Sequence, residues 1–111
     1  MDTDVLIDHL RGHRRLQIGS YMFVSVVTRA ELHAGRQRDE PAVEALLKRM
    51  GELDVDRAMA RRAGRIKRET GLKIADSLIA ATALEHQLPL MTRNHRHFER
   101  VAGLTLRSGG E

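Results

Sequence analysis

Residues 74–94 read IADSLIAATALEHQLPLMTRN, a long apolar segment followed by a short one. The first part, residues 74–86, is apolar over most of its circumference at helical spacing, which predicts a helix packed on several sides. The second part, residues 89–92, is a brief apolar run that begins at a proline and predicts a buried strand. A buried helix that leads into a buried strand is typical of an α/β domain.

The same alternation of strands and helices extends over the rest of the chain. We predict strands at residues 1–3, 21–26, 53–55, 89–92 and 104–106. We predict helices from about Asp4, from Thr28, and at residues 41–50, 57–70, 74–86 and 95–101. This order predicts a short central parallel sheet flanked by helices on both faces. With 111 residues the chain fits one domain, which we expect at residues 1–107, followed by a flexible tail at 108–111.

Composition narrows the chemistry that the chain can perform. There is no cysteine, so a metal ion would need oxygen or imidazole ligands. No apolar run approaches the roughly 20 residues that cross a bilayer, and the N-terminus is acidic where a secretory signal would be basic. We therefore expect a cytoplasmic protein that does not enter the membrane. The formal net charge of +4 favours an acidic partner such as nucleic acid.

Acidic and amide side chains follow the predicted strands. Asp2 or Asp4 follows the first strand, Glu31 lies on the helix that leaves the second, Asp76 begins the apolar helix, and Asn94 follows the strand at residue 90. The carboxyl ends of parallel strands share one crevice, so we expect these groups to converge. Clustered carboxylates repel each other, and a divalent cation relieves the repulsion and activates water. Oxygen ligands suit magnesium or manganese.

Each acid also has a purely structural interpretation. Glu31 stands three residues after Thr28, which fits a capping box. Asp76 or Asp4 could cap a helix or interact favourably with its dipole. An unpaired carboxylate at Asp76 would be costly, because the helix that it begins is otherwise apolar. A metal ion or a cap must therefore compensate the charge of Asp76.

Four segments of the chain resemble, in order and spacing, the motifs of VapC toxins, which are PIN domain proteins. They are DTDVLI at residues 2–7, SVVTRAEL at 25–32, IADSLIAATA at 74–83 and LMTRN at 90–94, followed by Phe98. The resemblance covers essentially the whole chain. It implies an endoribonuclease that cuts structured RNA such as transfer or ribosomal RNA. The implied cofactor is magnesium, with manganese as the alternative ion. It also implies a VapB-like antitoxin as inhibitor and a homodimer.

The resemblance further implies roles for individual residues. Asp2 and Asp76 would ligate the metal, Glu31 would complete the acidic pocket, and Thr3 and Asp4 would orient the ligands by hydrogen bonds. An antitoxin needs an apolar groove, and the helices near Leu6, Leu10, Leu46 and Leu47 could line that groove or a homodimer face.

Three positions depart from the family pattern. Asn94 stands where an acid often follows the strand, and would supply a neutral oxygen ligand or a water contact. His97 stands where many relatives carry an aspartate. Only Met1 precedes the first aspartate, so we expect either a clipped first strand or a native N-terminus that is longer. These departures leave open a second interpretation, a catalytically degenerate PIN domain that serves as a scaffold for RNA or protein.

Two further alternatives concern single motifs. Asp2-x-Asp4 resembles the acid pair of haloacid dehalogenase-like phosphatases, but no Asp-Asp pair follows it downstream. Arg57, Arg61 and Arg65 recur at i, i+4 and i+8, so they could contact an RNA backbone. They could equally form a solvated face, with Arg65 paired to the residue four positions later, Glu69.

Overall fold

The computed structural model describes residues 1–10, 22–92 and 94–107, without the side chains of residues 8 and 9. The predicted tail at 108–111 lies outside the described residues. The helices are α1 (Thr3–Leu10), α2 (Val26–His33), α3 (Glu40–Leu47), α4 (Arg57–Thr70), α5 (Ile74–Glu85) and α6 (His95–Phe98). The strands are β1 (Phe23–Ser25), β2 (Gly51–Leu53), β3 (Leu90–Met91) and β4 (Leu106–Arg107), and a 3₁₀ turn spans Gln37–Asp39.

The strands form two parallel ladders. β1 pairs with β2, which sets Phe23 opposite Gly51, and β3 pairs with β4, which sets Leu90 opposite Leu106. A Cβ atom at residue 51 would lie 2.5 Å from the Phe23 ring, so glycine permits the close pairing of β1 and β2. The predicted α/β fold with parallel strands is confirmed.

Met1 and Asp2 bridge the two ladders. The Met1 ammonium donates to Phe23 O (3.3 Å) in β1, and Asp2 N donates to Met91 O (2.9 Å) in β3. The predicted strand at residues 1–3 is wrong, because α1 already begins at Thr3 and leaves two residues with one backbone bond to each ladder. Burial lowers the pKa of the Met1 ammonium to about 6.

Helix α4 forms where its capping residues and its apolar spacing indicate the same bounds, and α5 forms where an apolar segment is buried. Asp56 accepts a hydrogen bond from Met59 N (2.9 Å) at the start of α4, and Gly71 ends it with a φ of 76°. A short link then folds α5 back along α4. Helix α5 is buried almost all round, as predicted, by Ser77, Ile79, Ala80, Ala81, Thr82 and Ala83. This burial anchors the middle of α5 in the core.

Helix α2 begins earlier than predicted. Ser25 has an extended backbone and accepts a hydrogen bond from Val27 N (3.1 Å), so Ser25 is the N-cap and Thr28 lies inside the helix. Thr28 is fully buried. The capping-box interpretation of Glu31 is therefore wrong, and its carboxylate is available for another role.

Three of the four leucines that mark the predicted groove-lining helices lie in the core. Leu6, Leu46 and Leu47 are buried in the core, where they pack with Val5, Val24, Leu32, Val43 and Met50. They cannot face a partner because their side chains are already enclosed. Leu10 does line an open groove, which is described below.

Candidate active site

Asp2 is a buried carboxylate at the junction of the two ladders. Its side chain accepts a 2.9 Å hydrogen bond at Oδ2 from Thr92 Oγ1, and Thr92 Oγ1 accepts one of 3.0 Å from Asn94 N. Burial raises the pKa of Asp2, the bond from Thr92 opposes the rise, and the charges of Asp4 and Asp76 add to it. Asp76 therefore lies near enough to Asp2 for its charge to act on the Asp2 carboxyl.

Asp76 lies in the first turn of α5, with 23% of its side chain exposed. Its Oδ2 atom is 3.1 Å from Nε2 of His97 on α6. The residue at the N-cap of α5, Lys73, makes no side-chain capping bond. Asp76 is thus held by an imidazole contact from a different helix, and its position near the helix N-terminus also favours its charge.

Glu31 is linked to the residue that follows Asp2. Thr3 Oγ1 donates to Glu31 Oε1 at 2.5 Å and lies 3.3 Å from Thr28 Oγ1. Thr3 is buried, so this contact fixes the carboxylate against the start of α1. Thr3 was predicted to orient a ligand by a hydrogen bond, and its contact with Glu31 has that geometry.

An ion-pair network fixes the helix that carries Glu31. Arg29 of α2 contacts Glu44 of α3 and Glu52 of β2, each at 2.6 Å. The Arg29 guanidinium and then His33 lower the pKa of Glu44 by hydrogen bonding. Because Arg29 ties α2 to two other elements, Glu31 is presented from a helix of fixed orientation.

Each of the three acids uses one carboxylate oxygen within the protein. Thr92, His97 and Thr3 engage Asp2 Oδ2, Asp76 Oδ2 and Glu31 Oε1, respectively. The second oxygen of each acid makes no hydrogen bond with the described residues. Within the described part of the chain, one oxygen of every carboxylate is therefore oriented by a protein contact.

Asn94 has a structural contact of its own. It is exposed, and its Oδ1 accepts a 3.3 Å hydrogen bond from His97 N at the start of α6. The amide thus caps the helix that brings His97 to Asp76. Its role as a fourth ligand stays a prediction.

The sequence predicts no role for Thr92, and it marks His97 mainly as a departure from the family pattern. Thr92 directly follows β3 and is fully buried. A hydroxyl at the carboxyl end of a strand is a signal that could have identified it, because site residues gather there. Only the fold shows that His97 reaches Asp76.

The donor set of the site fits a hard cation. Burial and the charge of Asp76 both raise the pKa of Asp2, which means that they disfavour its charged form. A bound cation would favour that charged form. Over residues 1–10, 22–92 and 94–107, no three carboxylate or imidazole side chains stand close enough to form a metal site. Metal binding by Asp2 and Asp76 stays a prediction. No helix in the described part of the chain is long and apolar enough to cross a membrane.

Comparisons with known proteins cover the whole of this site. The sequence profile of the PIN domain family matches residues 1–104. Ribonuclease VapC19 of Mycobacterium tuberculosis is 34% identical over 112 residues, which cover 88% of this chain and 90% of the relative. The tRNA(fMet)-specific endonuclease VapC of Shigella flexneri is 32% identical over 95 residues, which cover 81% of this chain and 72% of the relative.

A solved structure shows the same fold. In the DNA-bound VapBC of Salmonella typhimurium, one chain superposes with a TM-score of 0.84 at 26% identity, covering 96% of this chain and 94% of that one. The toxin–antitoxin complex of Klebsiella pneumoniae gives a TM-score of 0.74 at 26% identity, covering 94% and 92%.

Proposed function

The chain belongs to the PIN domain family as a VapC-type ribonuclease of toxin–antitoxin modules, and on this premise we propose that it hydrolyses structured RNA, such as transfer or ribosomal RNA, with magnesium as cofactor. The observation that carries the proposal is the set of three acids, Asp2, Glu31 and Asp76, each with one oxygen oriented by a protein contact. Manganese has the same preference for oxygen ligands and is the alternative ion.

Asp2 and Asp76 would hold the ion, and Glu31 would orient the attacking water. When bound, the ion would neutralise the carboxylates and lower the pKa of water enough for attack on phosphorus. Thr92 and His97 keep the two ligand carboxylates in fixed orientations, which is the role that outer contacts play around metal ligands. In-line attack by water would leave a 5′-phosphate and a 3′-hydroxyl on the products.

Sequencing the RNA ends formed on brief expression of the wild type and of Asp76→Asn tests the proposal directly. We expect new 5′-phosphate ends with the wild type only, and purified protein should lose cleavage in EDTA. Asp76→Asn keeps the size of the side chain, so its circular dichroism spectrum should match that of the wild type. Cleavage that persists in EDTA, or ends with a 2′,3′-cyclic phosphate, would contradict metal-dependent hydrolysis. RNA binding without any cleavage would identify a scaffold.

We also propose that a VapB-like antitoxin binds beside Glu31. An open groove of about 200 Å³ lies next to this residue, and its apolar lining includes Ile7, Leu10, Ala42 and Val43. An apolar antitoxin segment in the groove would cover Glu31 and block access of RNA. The solved VapBC structures support such a partner. A homodimer and a cytoplasmic location stay predictions.

A further inference from the structure

Four arginines form one face of α4, which we name the arginine face. They are Arg57, Arg61, Arg65 and Arg68. All four are exposed, whereas Met59, Ala63 and Ile66 of the same helix are buried. At 3.6 residues per turn the four fall within about 80° of the helix circumference, opposite the buried side. The helix thus carries its positive charge on the side that faces solvent and packs against the core with the opposite side.

No acid of the described residues neutralises the arginine face. None of its four members forms an ion pair or a hydrogen bond there, and the predicted pair of Arg65 with Glu69 is not formed. Arg62, which lies toward α5 on the same helix, does pair with Glu85 at 2.8 Å. Like charges one turn apart destabilise a helix, so the arginine face carries a repulsion that an anionic partner would relieve.

The residues beside these arginines have small side chains. Ala60 and Gly64 lie beside the row, and a Cβ atom built at Gly64 would meet nothing within 4 Å. Packing therefore gives no reason for glycine at this position, although glycine weakens a helix interior. Small side chains next to the guanidinium groups allow an extended polyanion to approach closely.

The arginine face ends next to the acidic site. Arg100 follows α6 and donates from Nη1 to Thr70 O (2.7 Å) at the end of α4, which joins the two helix ends. Lys73 immediately precedes α5, three residues before Asp76. The end of α4 therefore meets the helices that carry Asp76 and His97.

We propose that the arginine face binds the phosphate backbone of the RNA substrate while a neighbouring segment of the strand enters the acidic site. This inference rests on the proposed ribonuclease function. Three carboxylates repel RNA, so binding requires positive charge outside the pocket. Arg57 and Arg68 are separated by roughly 16 Å along the helix, enough to contact several successive phosphates. An acidic protein segment would not explain why the face ends where α4 meets the helices that carry Asp76 and His97.

Salt-dependent binding of a fluorescein-labelled stem-loop RNA tests the proposal. The chain carries Asp76→Asn throughout, so that the RNA is not cut. We expect Arg61→Gln to weaken binding and to lower the slope of log K against log salt by roughly 0.7 to 0.9, the value for one lost phosphate contact. Arg61→Gln with Arg65→Gln should lower it by about twice as much.

Arg62→Gln is the matched control, because it removes the same charge from the same helix but from an arginine paired with Glu85. We expect its slope to equal that of the parent. In chains with Asp76 restored, a fluorogenic dinucleotide should be cut equally by all variants, because it is too short to reach the arginine face. The Arg→Gln changes preserve helix propensity, and unchanged melting temperatures would show intact folding.

Equal slopes for Arg61→Gln and Arg62→Gln would overturn the proposal, because net charge alone would then govern binding. Unchanged RNA affinity of the double variant together with loss of antitoxin binding would also overturn it and assign the face to a protein. Failure of the proposed function looks different. In that case the wild type would leave RNA uncut with magnesium and manganese, whatever the arginine variants do.

Discussion

Thr92 donates a hydrogen bond of 2.9 Å to Asp2, a residue 90 positions earlier in the chain. Thr92→Val keeps the shape but leaves a buried carboxylate oxygen without its donor, which costs about 1–3 kcal/mol of folding stability. Loss of this donor also raises the pKa of Asp2 further, since the bond opposes the effect of burial. We expect magnesium affinity to fall 10- to 100-fold, roughly the effect of removing an outer contact of a metal ligand.

Urea unfolding and calorimetric titration with magnesium measure the two effects of Thr92→Val. Thr105→Val is the control, because Thr105 is exposed and its side chain makes no contact with the acids. Equal magnesium affinity of the wild type and Thr92→Val would show that this contact does not orient a ligand.

His97→Asp should make the stability of the protein depend more strongly on magnesium. The imidazole lies 3.1 Å from Asp76, so the change sets two carboxylates side by side. Without a metal they repel each other, and with it they bind more strongly. We expect a lower melting temperature in EDTA and a larger rise on adding magnesium than in the wild type.

His33→Asp provides the comparison for His97→Asp. His33 lies 2.8 Å from Glu44, so the same change creates a similar pair of acids away from the site. It should destabilise the protein without a comparable rescue by magnesium. Equal rescue of both variants would argue against a metal site at Asp76.

The Met1 ammonium should make folding stability rise between about pH 6 and pH 8. Its pKa is about 6 in the folded chain against 8.0 in the unfolded chain, so in this window the unfolded state binds more protons. The free energy of unfolding should gain at most about 2 kcal/mol from this group as the pH rises. Urea unfolding at both pH values measures the gain.

N-terminal acetylation isolates the contribution of Met1 from that of the histidines. The acetylated chain has no titrating ammonium, so its stability should change less between the two pH values. An identical pH dependence of the free and acetylated chains would assign the effect to other groups.

Ala42→Arg should release the enzyme from its antitoxin. Ala42 is exposed and lines the groove beside Glu31, so an arginine there would obstruct an apolar segment while leaving the core intact. We expect at least a 10-fold loss of antitoxin affinity, about 1.4 kcal/mol, with unchanged RNA cleavage. Titration with the co-encoded antitoxin checks this.

Ala58→Arg adds the same charge at an exposed position of α4 and should leave antitoxin affinity unchanged. If both variants bind antitoxin as the wild type does, the groove beside Glu31 is not the docking surface.

Local signals predicted the helices better than the strands. Helix α4 has the predicted bounds, because Asp56 and Gly71 cap its two ends and the apolar spacing extends between them. Ser25 and Thr28 are both good N-caps, and the burial of Thr28 among distant residues decides between them. A strand needs a partner, and residues 1–2 make only one backbone hydrogen bond to each ladder.

The candidate site could likewise be predicted only in part from the sequence. The three acids could be predicted from strand ends and from the family resemblance. The contacts of Thr92 with Asp2 and of His97 with Asp76 could not, because they join residues 90 and 21 positions apart. Sequence spacing carries no information about such pairs until the fold is known.

The distance along the chain between Asp2 and Thr92 also sets a time order during protein synthesis. Asp2 leaves the ribosome 90 residues before Thr92, and His97 emerges later still. The backbone bond from Asp2 to Met91 and the contacts that orient both ligand carboxylates therefore form only when most of the domain is outside the exit tunnel. A nascent chain of this ribonuclease thus lacks an assembled site until β3, Thr92 and His97 have left the RNA-rich machine that makes it.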